Sequence, residues 1–260
     1  MIKTNDFLNR LARNEDEKRL LARSYELVLK AAHGTVGSGD FLDLRQQELA
    51  QAVAVNEPSV RWHFDGGYEE AERKRLVVYP DWELKADARI TCLRICHKEF
   101  QDISLGHRDY LGAVLNLGIK REKLGDIVVQ PSMAFLFLDL ELTGYLCQQL
   151  TRVKNTNVWA EIIDCQDFVF QAPELQARQL SLASLRLDAA IAATYNISRA
   201  DVDIYISSGN VKINQMEVYK PATSLKIGDL ISVRGRGRFR LEGITGMSRK
   251  GRYQVEISRW

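Results

Sequence analysis

The most distinctive spacing in this chain belongs to its arginines. In Arg234-Gly235-Arg236-Gly237-Arg238-Phe239-Arg240, four guanidinium groups occupy every second position. Alternate side chains of an extended strand leave from one face, so the run predicts a single all-arginine face. Such a face calls for an anionic partner, because a guanidinium fork pairs bidentately with phosphate oxygens. The alternative use is a solvated, charged strand edge that discourages pairing with another chain. Arg249, Lys250 and Arg252 follow closely. Upstream, Ser198-Arg199 has the form of an N-cap followed by a cation at a helix start, and a helix N-terminus is a ready phosphate site. Lys212 and Lys220 flank a short predicted hairpin from which both can reach a polyanion backbone.

Other chemistries fail on spacing. Cys92-x-x-x-Cys96-His97 lacks the second ligand pair that a zinc site needs, Cys147 and Cys165 stand apart, and on a strand Cys92 and Cys96 share one inward face. His33, His63 and His107 have no Ser/Asp or Cys/Asp neighbours that would build a catalytic triad. The glycines at 34, 37 and 39 lack the Gly-Lys-Ser/Thr ending of a phosphate-binding loop. No metal, no cofactor and no enzymatic centre are therefore expected.

The elements that must position these groups read as follows. Leu20, Leu21, Tyr25, Val28, Leu29 and Ala32 recur at helical spacing, with Gly34 placed to end the helix. Residues 34–39 read as a loop. A second helix follows Asp40, with Leu42, Leu49 and Val53 on one face. Strands are expected at 60–64 and 76–79, and Asp65 to Arg75 reads as a turn feeding a short charged helix. Beyond these, Ile90 to His97, Asp126 to Gln130, Ala134 to Leu138 and Val158 to Asp164 predict strands. Arg108 to Leu117 and Leu142 to Leu150 predict helices. That order, βαββαβ, is the order of a ferredoxin-like, RRM-like domain. Phe135 and Phe137 fall on one face, and core packing against the helices is their expected use rather than base stacking.

Downstream of a connector containing Pro173, a helix is expected from about Arg186-Leu187-Asp188 to Tyr195. The helix capped by Ser198 carries Val202, Tyr205 and Ile206 on its apolar face and stops at Gly209. Strands are expected at 211–214, 217–220, 230–234, 239–241 and 253–257, with turns at Lys226 to Asp229 and near Gly251. The division is 1–82, a mixed helical unit; 83–168, the RRM-like domain; 169–181, the connector; and 182–260, the basic module. The fold class is α+β.

The totals agree. The 260 residues suffice for two or three small domains, and 45% apolar with 27% charged residues is ordinary for a globular protein. No run of about 18 apolar residues exists, so no membrane insertion is expected. Four cysteines make no disulfide framework, and a reducing, cytoplasmic setting is the expectation. The net charge of +2 hides an asymmetry. From Leu182 onward 13 of the 36 lysines and arginines meet only 7 of the 34 aspartates and glutamates, leaving 23 against 27 before it. A basic end on an acidic body suits a polyanion held at one end.

The last third also resembles a known module. Arg186-Leu187-Asp188, Ser198-Arg199, Ile206-x-x-Gly209-x-Val211-x-Ile213-Asn214, Lys220-Pro221 and Gly228-Asp229-x-Ile231-Ser232-Val233-Arg234-Gly235 stand in the order and spacing of the S4 RNA-binding family. The sequence departs at Asn214-Gln215, where many relatives have Asn-Gly. The resemblance implies an RNA face built from Arg186, Asp188, Ser198, Arg199, Asp203, Ser207, Gly209, Val211, Lys212, Asn214 and Lys220. Arg234, Arg236, Arg238 and Arg240 would extend it. For Asp188, pairing with an arginine is the structural alternative. Such modules read shape and phosphates more than base sequence, and no DNA preference is expected.

With Phe64-Asp65-Gly66-Gly67-Tyr68-x-x-Ala71-Glu72-Arg73-Lys74-Arg75, the whole chain looks like the YlmH-type S4-domain proteins, which carry the name photosystem II S4 domain protein in photosynthetic lineages. That likeness implies binding to tRNA and large-subunit rRNA on the ribosome in the rescue of stalled nascent chains. A regulator of photosystem II assembly is the second reading. A third is an S4-containing RNA-modifying enzyme such as a pseudouridine synthase, although those place S4 first. Gly246-Met247-Ser248-Arg249-Lys250 echoes a tRNA synthetase signature but lies after the S4 core.

Overall fold

The computed structural model describes residues 11–97, 105–171 and 176–259. They form a mixed α+β protein whose sheets are antiparallel, and the chain divides into two compact units, Met1–Phe170 and Gln171–Trp260.

In the first unit, helix α1 (Glu15–Ala32) starts where Asn14 accepts the backbone N–H of Glu17 at 2.8 Å, with Glu15, Asp16 and Glu17 at its positive end. Leu21, Val28 and Ala31 bury its inner stripe, and Gly34, with φ at +94°, ends it. Strand β1 (Gly37–Leu42) follows. Residues 37–39 are thus not loop as expected, and Leu42 ends a strand rather than facing from a helix. Helix α2 (Leu44–Ala54) begins one turn later than expected, because Asp43 and Gln46 form a reciprocal capping box. Strands β2 (Val60–Asp65) and β3 (Lys74–Pro80) complete a three-stranded sheet of order β1-β3-β2. Leu21, Val28, Leu49, Val53, Leu76 and Val78 pack together between this sheet and the two helices.

Strand β4 (Ile90–His97), helix α3 (His107–Asn116), strands β5 (Leu124–Gln130) and β6 (Met133–Asp139), helix α4 (Thr143–Gln149) and strands β7 (Arg152–Val153) and β8 (Thr156–Ile163) come next. Their sheet has the order β5-β6-β4-β8-β7. One face packs Leu93, Ile95, Leu136 and Leu138 against Tyr110 and Val114 of α3 and Leu146 of α4. Phe135 and Phe137 lie on the other face, not against the helices as expected. They are sealed there by Tyr68 and Phe168, with ring centroids 4.7 Å (Tyr68 to Phe137) and 4.9 Å (Phe135 to Phe168) apart.

Residue 82, the expected boundary, lies inside the first compact unit. Segment 66–73 forms turns, not the expected charged helix, and is fastened to β5. The Asp126 carboxylate accepts the Tyr68 hydroxyl (2.9 Å) and the backbone N–H groups of Glu72 (2.7 Å) and Arg73 (3.2 Å). Those donors would otherwise feed a helical turn. Arg73 donates to the carbonyls of Phe41 and Leu124 at 2.8 and 3.0 Å. Gly66 is obligatory in this knot, because a Cβ there would stand 2.3 Å from that of Ala71 and 2.7 Å from the Arg73 carbonyl oxygen. Burial, with Asp126 acting second, pushes the Tyr68 hydroxyl pKa upward, so Tyr68 stays a neutral donor.

The second unit opens with strand β9 (Gln176–Leu182), a segment expected to be connector. Pro173 lies outside the described residues. Helices α5 (Leu187–Tyr195) and α6 (Arg199–Ser207) follow. Strands β10 (Val211–Ile213), β11 (Met216–Glu217), β12 (Leu230–Val233), β13 (Gly237–Met247) and β14 (Tyr253–Arg259) then complete a six-stranded antiparallel sheet of order β11-β10-β12-β13-β14-β9. β11 stops at Glu217, short of the expected Lys220. Leu187, Ile191, Val202 and Ile206 bury one side of the helix pair against Ile231, Phe239, Leu241 and Val255.

Candidate nucleic-acid interface

Arg186 occupies the N-cap of α5 with extended backbone. Its Nε and Nη2 donate to the two carboxylate oxygens of Asp188 at 3.0 and 2.9 Å. Asp188 is only 4% exposed and also accepts the Ala189 N–H at 2.8 Å, whereas the Arg186 side chain is 46% exposed. A buried carboxylate thus grips one edge of an accessible guanidinium and leaves its remaining N–H donors outward. The hydrogen bond that Arg186 donates to Asp188, with Asp203 adding at longer range, raises the Arg186 pKa. The loop after β11 is tied to the same helix start: Leu187 and Asp188 donate their N–H groups to the carbonyls of Thr223 (2.9 Å) and Pro221 (3.1 Å). Lys220 is therefore held beside the first turn of α5, exposed.

Ser198 caps α6 by accepting the Asp201 N–H at 3.2 Å, and its hydroxyl donates to the Asp201 carboxylate at 2.7 Å. Arg199 and Asp203 are exposed on that helix. The Ser207 hydroxyl is turned back on the Ile204 carbonyl at 3.2 Å. Gly209 takes φ +68° and lies under Tyr219, whose hydroxyl oxygen would sit 3.2 Å from a Cβ there. Val211 is fully buried in the core and offers no side chain to a ligand, contrary to expectation. Lys212 is half-buried, 4.0 Å from Glu217 across the hairpin.

Asn214 and Gln215 both have positive φ, at 49° and 67°, the backbone of a tight I′ hairpin. The Asn214 side chain donates to Asp229 (2.9 Å) and accepts the Leu230 N–H (2.9 Å), while Asp229 accepts the Lys226 N–H (2.8 Å). Asn214 thus clamps two turns together. Its side chain stays exposed while it does so.

The expected all-arginine face does not exist. Gly235 and Gly237 take φ of 82° and 103°, so Arg234 and Arg236 sit in the turn between β12 and β13. Only Arg238 and Arg240 lie on β13, flanking the buried Phe239. Arg236 stacks 5.3 Å over the Tyr205 ring and donates to its hydroxyl at 3.1 Å. Arg199, Lys220 and Arg234 remain exposed, with no ion pair among the described residues. Two arrangements carry no sequence signal: Tyr205 as a platform for Arg236, and Arg259 stacked 4.8 Å over Tyr195. Each joins positions far apart in sequence, where no periodic signal exists. Among the described residues no group of three or more His, Cys, Asp or Glu is placed to hold a metal ion, and no helix is long and apolar enough to cross a membrane.

Comparison with known proteins decides the family. The chain is 32% identical over 244 residues to the “Ribosome-associated protein quality control protein P2” of Bacillus subtilis (strain 168), covering 93% of this chain and 91% of that one. The chain belongs to the YlmH family. A family profile described as “Putative RNA-binding domain in YlmH” matches residues 85–167. The solved structure named “Cell division protein ylmH from Streptococcus pneumoniae” superposes with a TM-score of 0.51 at 21% identity, over 61% of this chain and 98% of that one, a likeness of fold. Within this YlmH-family chain the profile begins at the loop before β4 and ends within the turn after β8. It thus spans the five-stranded sheet and leaves the basic unit outside.

Proposed function

We propose that this YlmH-family protein is a non-enzymatic RNA-binding factor of the ribosome, acting in translation quality control. In this reading the basic unit is an S4 domain that grips structured RNA, tRNA or large-subunit rRNA. The five-stranded sheet is RRM-like, and the protein works in the cytoplasm. The observation that carries the reading is the similarity over 93% of the chain to a relative named for ribosome-associated quality control. The site suits it. Arg186 is held open by Asp188, and Arg199, Lys220 and Arg234 stand exposed on the same unit. Such groups meet phosphates without reading bases. The strand order β5-β6-β4-β8, with helices α3 and α4 on one face, supports the RRM-like assignment.

Sedimentation of a gently prepared extract through sucrose tests this. The protein is expected with large ribosomal subunits at low salt and at the top of the gradient at high salt. Contact with about 5 phosphates gives a log–log salt slope of roughly −3.5 to −4.5. Arg199→Ala should weaken binding about equally for RNAs of different sequence. Migration at the top at every salt concentration, or a flat salt response, would remove the reading.

A further inference from the structure

The five-stranded sheet lies within the segment matched by an RNA-binding family profile, yet its aromatic face is closed. RRM-like sheets bind by stacking bases on exposed aromatics of their central strands. Here Phe137 is 0% and Phe135 9% exposed, under a Tyr68 whose hydroxyl is anchored on Asp126. Trp159 remains exposed at the sheet's far side. Its indole N–H, however, is committed to Glu161 at 2.9 Å, and the other oxygen of that carboxylate holds Arg94. Beyond that one indole this face offers no open aromatic surface, and the Arg94 charge is paired with Glu161.

The opposite, helical side offers both room and charge. A groove of about 550 Å³ runs between α3 and the segment Gln149 to Lys154. Arg108, Gly112 and Asn116 line it at successive turns of α3, and Arg152 and Lys154 line the other bank. Its carboxylate is neutralised, because Asp109 is held by Lys154 at 2.9 Å and also accepts the Gly106 N–H at 2.8 Å. Arg108 and Arg152 are exposed and carry no ion pair among the described residues, which leaves the groove two unspent positive charges. At Gly112 an added Cβ would meet nothing within 4 Å, so the glycine, an unfavourable helix residue, opens the floor without any packing need.

We propose that this groove is a second RNA contact, in which Arg108 and Arg152 clamp the phosphodiester backbone on the helical side of the sheet while the usual base-stacking face stays shut. The proposal rests on the RNA-binding reading of the whole chain, and it predicts backbone contact with no base preference.

The test uses the full-length protein with two probes: RNA extracted from large ribosomal subunits, and intact salt-washed subunits. The double variant Arg108→Gln/Arg152→Gln should bind both probes about tenfold more weakly and lose about 2 from the log–log salt slope. Gly112→Glu puts a carboxylate into the groove. It should weaken binding similarly while its melting temperature holds or rises, because glutamate favours a helix more than glycine does. That pairing of gained stability and lost binding separates a binding role from a structural one. Unchanged binding by these variants, with Arg199→Ala weakened, would overturn the groove and leave the general reading standing. Absence of wild-type binding to either probe would overturn both. A loss seen with intact subunits but not with free RNA would mean an acidic protein occupies the groove, and the RNA proposal would fall.

Discussion

Asp139→Ala should cost the first unit about 3–5 kcal/mol, the penalty for removing one partner of a buried ion pair. The side chains of Arg75 and Asp139 are 6% and 9% exposed, and Arg75 Nη2 lies 3.3 Å from the carboxylate. The guanidinium also donates to the carbonyls of Gly39 (2.6 Å) and Arg89 (3.0 Å), so it bridges β1, β6 and the strand entering β4. Burial lowers the Arg75 pKa and Asp139 opposes that shift, a sign that the carboxylate keeps the charge tolerable indoors. Without it, Arg75 loses its ion-pair partner and keeps only carbonyl acceptors and the more distant Asp40 and Glu141, and Lys123 loses one of its two carboxylates. At roughly 2–4 °C per kcal/mol for a unit of this size, the melting temperature should fall by about 6–20 °C. Glu141→Ala is the control. Its pair with Arg89 is also 3.3 Å long, but both side chains are mostly exposed, and such pairs contribute about 0–1 kcal/mol. Equal melting of the two variants would show that the buried pair does not hold these strands.

Contacts of this kind join the segments on either side of residue 82 across long stretches of sequence. The helix and strand periodicities on either side of residue 82 were legible because each follows local burial. Gly34 and Gly209 were legible as helix stops for the same local reason, and both take positive φ. Arg75 with Asp139, and Arg73 with Asp126, are pairings across more than fifty residues. Phe64 to Arg75 reads as a family motif, and its polar residues fasten one sheet to the other. The missing helix has the same cause: a carboxylate distant in sequence captured the N–H groups that a helix would have started from.

The site was legible to the extent that it depends on local caps and turns. Ser198 caps α6, the turn at Gly228 forms, and Asn214 opens its hairpin with left-handed backbone. Alternation misled where glycine intervened. Two glycines between arginines bend the run into a turn, so Arg236 meets Tyr205 instead of joining Arg238 and Arg240. Val211 failed for a related reason, since it lies within the same short motif as exposed residues but points inward. Motif membership does not specify side-chain direction in a strand, where neighbours face opposite ways.

Asp188 offers the sharpest test of the interface, because two physical effects predict opposite signs. It is an anion within hydrogen-bond distance of Arg186, the cation proposed to meet phosphate. Removing it should strengthen RNA binding if net charge decides the matter. We expect the reverse. The carboxylate is buried and fixed by the Ala189 N–H, so it holds the guanidinium in one orientation while nearly half of that side chain stays accessible. Asp188→Ala frees a side chain with about 2 kcal/mol of rotamer entropy to lose again on binding. The expected result is binding weakened roughly tenfold, about 1.4 kcal/mol. Arg186→Ala should lose a similar amount, and the double variant no more than either, because the two act as one unit. Asp188→Asn keeps an oxygen for Arg186 and for the Ala189 N–H. It should recover most of the affinity although it carries no charge, a rescue that a purely electrostatic role could not distinguish from alanine. Tighter RNA binding by Asp188→Ala, in protein that melts as the wild type does, would show that the carboxylate restrains the arginine's charge and does not aim it.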